Sequence, residues 1–340
     1  MNTQKLIFIA FAIAIAALLS TSCANEVDIN ADYQELTIVY GLMNQSQDRQ
    51  YIKITKAFQT TGNVIVAAKD PENSMYDPKD LEVWLDEYLD ESYIRTIYLD
   101  SVLITNKDTG DFYSPNEIIY ATPVGVKLRE TFEYHLNIKI KSTGRLIEGG
   151  TKLVKDFKII RPFSTQEYAS FTSYIGSYKQ RVEWYAAKNG ILHQLTIRYF
   201  YTEIPVSGPR SSHFVDLVFG VKRAANVDGT EKMILSFNGD IFYQNLAANI
   251  ELPEPGMKRY SDSLYYIFNV ADEDFTIYLD INGPSTSIVQ ERPAYTNVTN
   301  GIGLFSGRYT KPRYFAGLAP PSLDTLYQGQ YTYQLGFIDR

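Results

Sequence analysis

The sequence predicts a mainly β protein, with an N-terminal immunoglobulin-like β-sandwich followed by a second β-rich domain that carries a few short helices. Tyrosine and phenylalanine are abundant, at 27 and 18 residues, and aromatic side chains favour the half-buried surface of a strand. Apolar and polar residues alternate in several short runs, most clearly at residues 81–85 and 131–140. Turn residues separate these runs at the regular intervals that are typical of a sandwich.

In the first half of the chain, alternation and β-branched residues predict a series of strands. Residues 63–69 fit either a short helix or a strand. Two prolines and several polar residues predict a loop at 70–80. The strands are expected at residues 35–42, 50–58, 81–85, 93–104, 118–120 and 131–140, with two short ones within 146–163.

The second half has a less regular pattern. The Asn189-Gly190 pair predicts a hairpin turn that joins strands at 180–184 and 191–204. Helices are expected at 239–250, where apolar residues recur at roughly helical spacing, and at 272–281, which begins with acidic residues. Further strands are expected at residues 214–221, 232–237, 263–271, 302–305 and 331–337.

The first 22 residues have the pattern of a secretory signal peptide. Lys5 is the only charged residue before Glu26, and an unbroken apolar run at residues 6–19 follows it. A helix that spans a bilayer needs roughly 20 apolar residues, so this run is too short to act as a membrane anchor. We therefore expect residues 1–22 to be removed on export.

Cys23 is the expected lipid attachment point. Small residues precede it, and it is the only cysteine in the chain, so it has no disulfide partner within the protein. The segment resembles a lipobox, although Ser20 stands where an aliphatic residue is usual. Such a cysteine becomes the first residue of the mature protein and carries acyl chains, and residues 23–33 would then form a polar tether.

The length of 340 residues predicts two domains, because single hydrophobic cores stop growing below this size. We expect the sandwich at residues 34–162 and the second β-rich domain at 163–340. The net charge is −7 and no basic stripe is present, which argues against binding to nucleic acid. The body is therefore expected to be soluble and tethered to the membrane by lipid alone.

The sequence contains no motif for catalysis or for a cofactor. His135, His193 and His213 are far apart in sequence and lie in no pattern that binds zinc. Ser211 and Ser212 precede His213, but adjacency in sequence does not make a catalytic triad. We therefore expect no catalytic residue, no cofactor site and no metal site, and regard the protein as a non-enzyme.

Acidic residues leave two alternatives open. A glycan hydrolase needs two carboxylates about 5 to 10 Å apart, and a loop-like stretch offers Asp86, Glu87, Asp90 and Glu91. The run Asp272-Glu273-Asp274 could bind Ca²⁺, but its spacing is not that of an EF-hand loop. A favourable interaction with the positive end of the helix expected at 272–281 explains this run as well.

Three segments resemble the DUF4249 family, a group of Bacteroidota lipoproteins. They are Cys23, the turn Gly41-Leu42-Met43-Asn44, and the run Tyr295-Thr296-Asn297-Val298-Thr299-Asn300-Gly301-Ile302-Gly303-Leu304-Phe305. The family has no assigned activity. The resemblance implies an outer-membrane lipoprotein, a TonB-dependent receptor as a partner and a place in nutrient uptake. Glu26 and Asp28 also resemble the acidic surface-export signal of these bacteria.

We expect a binding or accessory module that is lipid-anchored at the outer membrane, on its periplasmic face or at the cell surface. The absence of catalytic motifs and the aromatic-rich body favour a glycan or peptide ligand. One alternative is a structural or adhesin-type surface subunit, which would need a long unpaired edge strand near a terminus. The other is the carboxylate-based glycan hydrolase.

Overall fold

The computed structural model describes residues 36–339, apart from residues 61, 109, 111–112, 175 and 284–294. The predicted signal peptide, Cys23 and the tether with its acidic residues lie outside the described residues. Within them the chain is mainly β, with several sheets and a few short helices, as the sequence predicts. Among the helices of this described part, none is long and apolar enough to cross a membrane.

The strands occur along the whole described chain, and most contain alternating apolar residues. Their bounds are β1 Thr37–Met43, β2 Tyr51–Lys56, β3 Leu81–Leu89, β4 Ser92–Tyr98, β5 Asp100–Ile104, β6 Glu117–Ala121, β7 Glu133–Ile140, β8 Leu146–Lys152, β9 Ile159–Arg161, β10 Tyr168–Ala169, β11 Thr172–Ser173, β12 Gly176–Ser177, β13 Lys179–Tyr185, β14 Leu192–Ile204, β15 Ser211–Arg223, β16 Lys232–Asn238, β17 Lys258–Ala271, β18 Val298–Thr299, β19 Ile302–Phe315 and β20 Gly317–Leu318.

The helices are short and lie between strands. Their bounds are α1 Val64–Ala68, α2 Pro71–Ser74, α3 Asp240–Asn249, α4 Glu273–Asn282 and α5 Pro320–Gln328, with a 3-10 helix at Tyr333–Leu335. The helices predicted at 239–250 and 272–281 are thus confirmed as α3 and α4. The strand predicted at 331–337 is wrong, because this segment forms the 3-10 helix and ends at Gly336 in the left-handed region.

An eight-stranded sheet has the order β15-β14-β17-β19-β1-β2-β6-β5, and β19 connects its two halves. Residues 302–307 of β19 pair in parallel with β1, whereas residues 308–315 pair antiparallel with β17. One long strand therefore belongs to both halves of the large sheet, one after the other along its length. Each half of the large sheet packs against a smaller sheet of its own, which gives two sandwiches.

The first sandwich pairs the β1 half of the large sheet with the five-stranded sheet β18-β8-β7-β3-β4. Phe305 of β19, Tyr134 and Leu136 of β7, Leu85 of β3 and Ile52 of β2 fill the core between them. Gly303 has a φ of +122°, and a Cβ there would lie 1.9 Å from the carbonyl oxygen of Val39. The C-terminal motif that resembles DUF4249 proteins thus completes the N-terminal sandwich.

The second sandwich pairs the β17 half of the large sheet with the three-stranded sheet β16-β13-β9. Trp184, Tyr199, Phe242 and Phe268 are central to its core. The hairpin predicted around Asn189-Gly190 is wrong: β13 pairs with β16 and β9, and β14 pairs with β15 and β17. The Asn-Gly turn carries the chain from one sheet of this sandwich to the facing one.

The predicted boundary at residues 162 and 163 falls within one compact unit that begins at Leu36. Leu153 belongs to the first core and Val154 to the second. The chain returns to the first sandwich with β18 and the first half of β19. The first sandwich therefore contains strands from both predicted segments. The second sandwich includes β9, which lies before the predicted boundary.

Candidate functional site

The outer surface of the five-stranded sheet carries a group of aromatic rings. We call it the aromatic face and define it by Trp84 and Tyr88 of β3, Tyr93 and Tyr98 of β4, and His135 of β7. Tyr93 and Tyr98 are 57% and 59% exposed. The ring centroids of Trp84 and Tyr98 are 6.4 Å apart, and those of Tyr88 and His135 are 4.7 Å apart. Tyr88 also contacts Tyr93 edge to face, at 5.9 Å.

Strand register explains why these rings gather. Trp84 lies opposite Tyr98 on one side, and Tyr88 lies opposite Tyr93. On the other side of β3, the residue opposite Asp86 is His135. Side chains alternate between the two faces of a strand. Trp84, Asp86 and Tyr88 of β3 therefore point outward, while the residues between them point into the core.

Asp86 lies in the middle of the aromatic face and fixes its neighbours. Its carboxylate accepts hydrogen bonds from the indole Nε1 of Trp84 at 3.1 Å, from Nδ2 of Asn137 at 2.9 Å and from the hydroxyl of Thr96. The Thr96 hydroxyl is also 3.0 Å from the hydroxyl of Tyr93. This polar network therefore fixes the positions of the Trp84 and Tyr93 side chains.

The acidic stretch around Asp86 is not the loop that the sequence suggested. Asp86 and Glu87 are both in β3 and face opposite sides of the sheet. Glu87 is fully buried and bonds the guanidinium of Arg95 and the hydroxyl of Tyr134. Because the two carboxylates are separated by the sheet, they cannot act together on one glycosidic bond.

Asp90 and Glu91 form the tight turn between β3 and β4. Both have positive φ values, 47° and 66°, as a two-residue hairpin turn of the primed type requires. Their side chains are exposed. The four candidate carboxylates of this stretch thus occupy three different environments, which explains their presence without a shared catalytic role.

A pocket adjoins the aromatic face at the junction of the two sandwiches. Gly150 of β8 lies opposite His135, and a Cβ at Gly150 would meet no atom within 4 Å. The surface therefore opens there into a cavity of about 390 Å³. Its lining, which we call the junction pocket, is Glu133, His135, Gly150, Thr151, Lys152, Asn189, Val227, Asp272, Glu273 and Asp274.

Asp272 is a buried carboxyl in the lining of the junction pocket, and its role is structural. Its carboxylate caps α4 by accepting from the backbone N–H of Phe275 at 2.9 Å. It also accepts from the hydroxyl of Ser306 and the N–H of Gly307, where β19 changes partner. Burial raises the pKa of Asp272 to about 6, although these hydrogen bonds oppose the increase.

The neighbours of Asp272 are also engaged within the protein. Asp274 accepts from the hydroxyl of Tyr295 and from Nδ2 of Asn297 at 2.8 Å. Asn297 in turn bonds both the backbone N–H and the carbonyl of Phe305. Asp272 therefore caps α4 and Asp274 holds Tyr295 and Asn297, while Glu273 lies in the first turn of the helix. Across the described residues, no three His, Cys, Asp or Glu side chains are grouped so that they could hold a metal ion.

The other two histidines lie in the second sandwich, far from His135 in the fold. His193 is buried and accepts from the indole Nε1 of Trp184 at 3.1 Å, and burial lowers its pKa to about 4. His213 contacts Ser211 and Glu203 through the same atom, Nε2, at 2.8 and 3.3 Å. A triad needs the serine and the acid on different ring nitrogens, so this trio lacks the geometry for nucleophilic catalysis.

The fold and the site together define a mainly β protein of two joined sandwiches, with an exposed aromatic face beside a polar pocket. No protein-family model matches the chain, and a search of curated proteins finds no match either. The sequence did not single out the rings of the aromatic face. The only available signal was the alternation in β3, which places Trp84, Asp86 and Tyr88 on one side.

Proposed function

We propose that this protein is an exported, lipid-anchored binding module at the outer membrane, and that its aromatic face binds a saccharide chain. The observation that carries the proposal is the contact of half-buried Trp84 with exposed Tyr98, in which the Trp84 indole is held by Asp86. A contiguous patch of apolar side chains on a protein surface marks an interaction site. A row of such rings on a pleated sheet fits an extended ligand better than a compact one.

The chemistry of a sugar matches this surface. A pyranose ring has an apolar C–H face that packs against an aromatic ring, and a rim of hydroxyl groups that both donate and accept hydrogen bonds. Thr96 lies between Tyr93 and Tyr98 on β4, where its hydroxyl would meet those of a sugar, while the buried Asn137 supports Asp86 from below. The junction pocket continues the surface with charged groups such as Glu133 and Lys152, where a further sugar unit would find polar partners.

Anchoring is the second part of the proposal, and Cys23 supports it. Two or three acyl chains hold a protein at a bilayer far better than one, because each buried methylene contributes about 0.8 kcal/mol. Cells that express a Cys23→Ala variant should release the protein from the membrane fraction and incorporate no labelled palmitate. Labelled palmitate in that variant would contradict lipidation at Cys23.

A glycan array tests the binding function directly. The probe is the mature chain with Cys23→Ser, so that no lipid interferes, beside the same chain with Trp84→Ala and Tyr98→Ala. We expect the first to bind a defined set of saccharides and the double variant to lose that binding. Tyr333→Ala is the matched control, because Tyr333 is 58% exposed, much like Tyr98, but lies in the 3-10 helix near the C-terminus. An array without any specific signal would contradict the proposal.

A protein partner such as a TonB-dependent receptor has support from a different surface. The outer side of the β17 half of the large sheet carries the ring row Phe214-Phe200-Tyr265-Tyr314, with successive centroids 5.8, 6.0 and 5.1 Å apart. Phe214 and Tyr314 are about half exposed. Affinity purification from detergent-solubilised outer membranes, with and without Phe214→Ser, would detect a partner that uses this row. Recovery of the lipoprotein alone would count against a stable complex.

The structural-subunit alternative has less support. Donor-strand assembly uses a free edge strand near a terminus, whereas β1, the described strand nearest the N-terminus, pairs with β19 on one side and β2 on the other. The hydrolase alternative has no facing pair among its candidates, as the positions of Asp86 and Glu87 on opposite sides of the sheet indicate.

A further inference from the structure

A cavity of about 340 Å³ lies on the outer surface of the large sheet, beside α4. We call it the arginine pocket, because Arg308 lines it. Three strands form its base: Gln194 of β14 lies opposite Asn269 of β17, which lies opposite Thr310 of β19. The residues that follow Gln194 and Asn269 in sequence belong to the second core. Because side chains alternate along a strand, these two amides face outward, into the pocket.

The walls of the arginine pocket are largely apolar. Phe275 and Leu279 of α4 lie on one side, and Leu192 of β14 and Val221 of β15 lie on the sheet. Leu279 is 38% exposed and Val221 is 48% exposed, so part of this apolar surface stays uncovered. A cavity of this size, with apolar walls and a few polar groups that converge on it, is typical of a site for a small molecule.

Arg308 gives the arginine pocket a positive charge that the protein does not neutralise. Among the described residues that line the pocket, it is the only charged one. The side chain is half-buried, and its buried Nε atom has no hydrogen-bond partner. No carboxylate in the described part of the chain forms an ion pair with its guanidinium. Since a charge that is partly removed from water without a counter-charge is unfavourable, an anion in the pocket would be stabilised.

Two other arginines on this side of the large sheet are paired within the protein. Arg198 donates two hydrogen bonds to Asp216, both at 2.7 Å. Arg223 donates to both carboxylate oxygens of Asp280, at 2.9 and 3.0 Å, and this pair links β15 to α4 beside the pocket. The guanidinium of Arg308 differs from both, because its charge is left for a ligand.

Neutral hydrogen-bond donors accompany Arg308 in the pocket. The hydroxyl of Thr310 donates to Oδ1 of Asn269 at 3.1 Å, which leaves the Nδ2 group of Asn269 as a donor. Within the described residues, neither this Nδ2 nor the side-chain amide of Gln194 donates to another group. A carboxylate that pairs with a guanidinium has further lone pairs, which accept from such amide donors.

We propose that the arginine pocket binds a carboxylate attached to an apolar group, carried either by a free small acid or by the C-terminus of a peptide. Arg308 pairs with the carboxylate, and Asn269 and Gln194 donate to its remaining lone pairs. The apolar group packs against Phe275 and Leu279. A single cation matches a single negative charge, whereas a phosphate dianion would leave excess negative charge among otherwise neutral groups. This binding is independent of the saccharide, which is proposed to bind on a different sheet.

Saturation-transfer NMR of small probes, titrated into the mature chain with Cys23→Ser, tests the proposal. The probes are 3-phenylpropionate and its neutral counterpart 3-phenylpropionamide, which has the same ring and chain. We expect the acid to bind saturably and at least about tenfold more tightly than the amide, because only the acid pairs with the guanidinium. Acetyl-alanyl-phenylalanine distinguishes the two sources: tighter binding than 3-phenylpropionate assigns the pocket to a peptide C-terminus, and equal or weaker binding assigns it to a free acid. Equal binding of the acid and its amide, or no saturable binding of the acid, would overturn the proposal.

Two substitutions test whether the acid binds at this pocket. Arg308→Gln should weaken the binding of 3-phenylpropionate at least about tenfold, while Arg210→Gln, at an exposed arginine outside the pocket lining, should leave it unchanged. Asn269→Asp keeps the side-chain shape and the acceptor for Thr310, but it places a competing carboxylate in the pocket and should also abolish binding. A circular dichroism melt shows whether each variant folds, so that one folded variant suffices. Acid binding that a folded Arg308→Gln or Asn269→Asp variant leaves unchanged would overturn the proposal.

Discussion

Asp272 gives the sharpest prediction about stability, because it is a buried carboxyl at the junction of the two sandwiches. The residue is 7% exposed, and burial raises its pKa from 3.8 to about 6. A shift of one pKa unit corresponds to 1.36 kcal/mol, so this shift corresponds to about 3 kcal/mol. The folded protein therefore holds a proton on Asp272 at acidities where the unfolded chain has already lost it.

The sign of the effect follows from proton binding. Between pH 4 and 6 the folded state binds more protons at this site than the unfolded state, so the free energy of unfolding falls as the pH rises. The contribution is fully present below pH 4 and is lost by pH 6 to 7. His193 acts in the opposite direction, because its pKa is lowered from 6.5 to about 4 and its contribution to stability is lost as the pH falls through this window.

The perturbation is Asp272→Asn, and the assay is urea unfolding at several values between pH 4 and 7, followed by tryptophan fluorescence. At each pH, the free energy of unfolding of the natural protein is subtracted from that of the variant. This difference cancels the contributions of groups that titrate alike in the two proteins. From pH 4 to pH 7 the natural protein should lose about 3 kcal/mol of stability relative to the variant, so this difference should become more positive by that amount. A difference that stays constant across the range would refute the reasoning.

Four further substitutions have clear expected outcomes in the same unfolding assay. His193→Gln should produce a difference profile of the opposite slope, also of about 3 kcal/mol between pH 6.5 and 4; a flat profile would mean that the imidazole is not held neutral. Gly303→Ala should cost more than about 3 kcal/mol, since its Cβ would clash with the Val39 carbonyl, whereas Gly150→Ala, which faces open space, should cost under about 0.5 kcal/mol. Similar losses for the two glycines would contradict the close β1–β19 pairing. Glu87→Gln should cost about 2 kcal/mol by weakening a buried, charge-assisted hydrogen bond to a guanidinium, and an unchanged midpoint would contradict it.

Alternation predicted the strands of the first sandwich well. In β3 and β7, every second residue faces the core and all of these except Glu87 are apolar, so local pattern and burial agree. Helices α3 and α4 were also predictable, because the first has apolar residues near helical spacing and the second begins with an acidic cap, Asp272. In these elements the local signal and the tertiary environment select the same conformation.

Elements that depend on distant partners could not be predicted. Asn189-Gly190 does form a sharp reversal, with Asn189 at a φ of 64°, but a turn does not determine which strands pair. A Cβ at Gly190 would lie 2.5 Å from Val270, so packing across the core sets the course of this connection. Helix α5 begins with Pro320 and Pro321, which suit the first turn of a helix but interrupt the apolar pattern that would reveal it.

The candidate site was even less visible in the sequence. Its rings come from three strands, and only pairing of β3 with both β4 and β7 brings Trp84 near Tyr98, and Tyr88 near His135. Sequence reasoning drew attention instead to carboxylates such as Asp86, whose role is to hold the rings in position. The partner of β19 also changes after Gly307, and no local pattern indicates that one strand joins both halves of the large sheet.

The central claim is that stacking on the aromatic face binds a saccharide, and Tyr98 allows the most direct test. Isothermal titration calorimetry would compare the natural mature protein, Tyr98→Phe and Tyr98→Ala, each titrated with the saccharide that gives the strongest array signal. We predict that Tyr98→Phe, which keeps the ring, binds within about threefold of the natural protein. Tyr98→Ala should bind at least about tenfold more weakly, which corresponds to about 1.4 kcal/mol. Equal affinities for all three proteins would contradict the account.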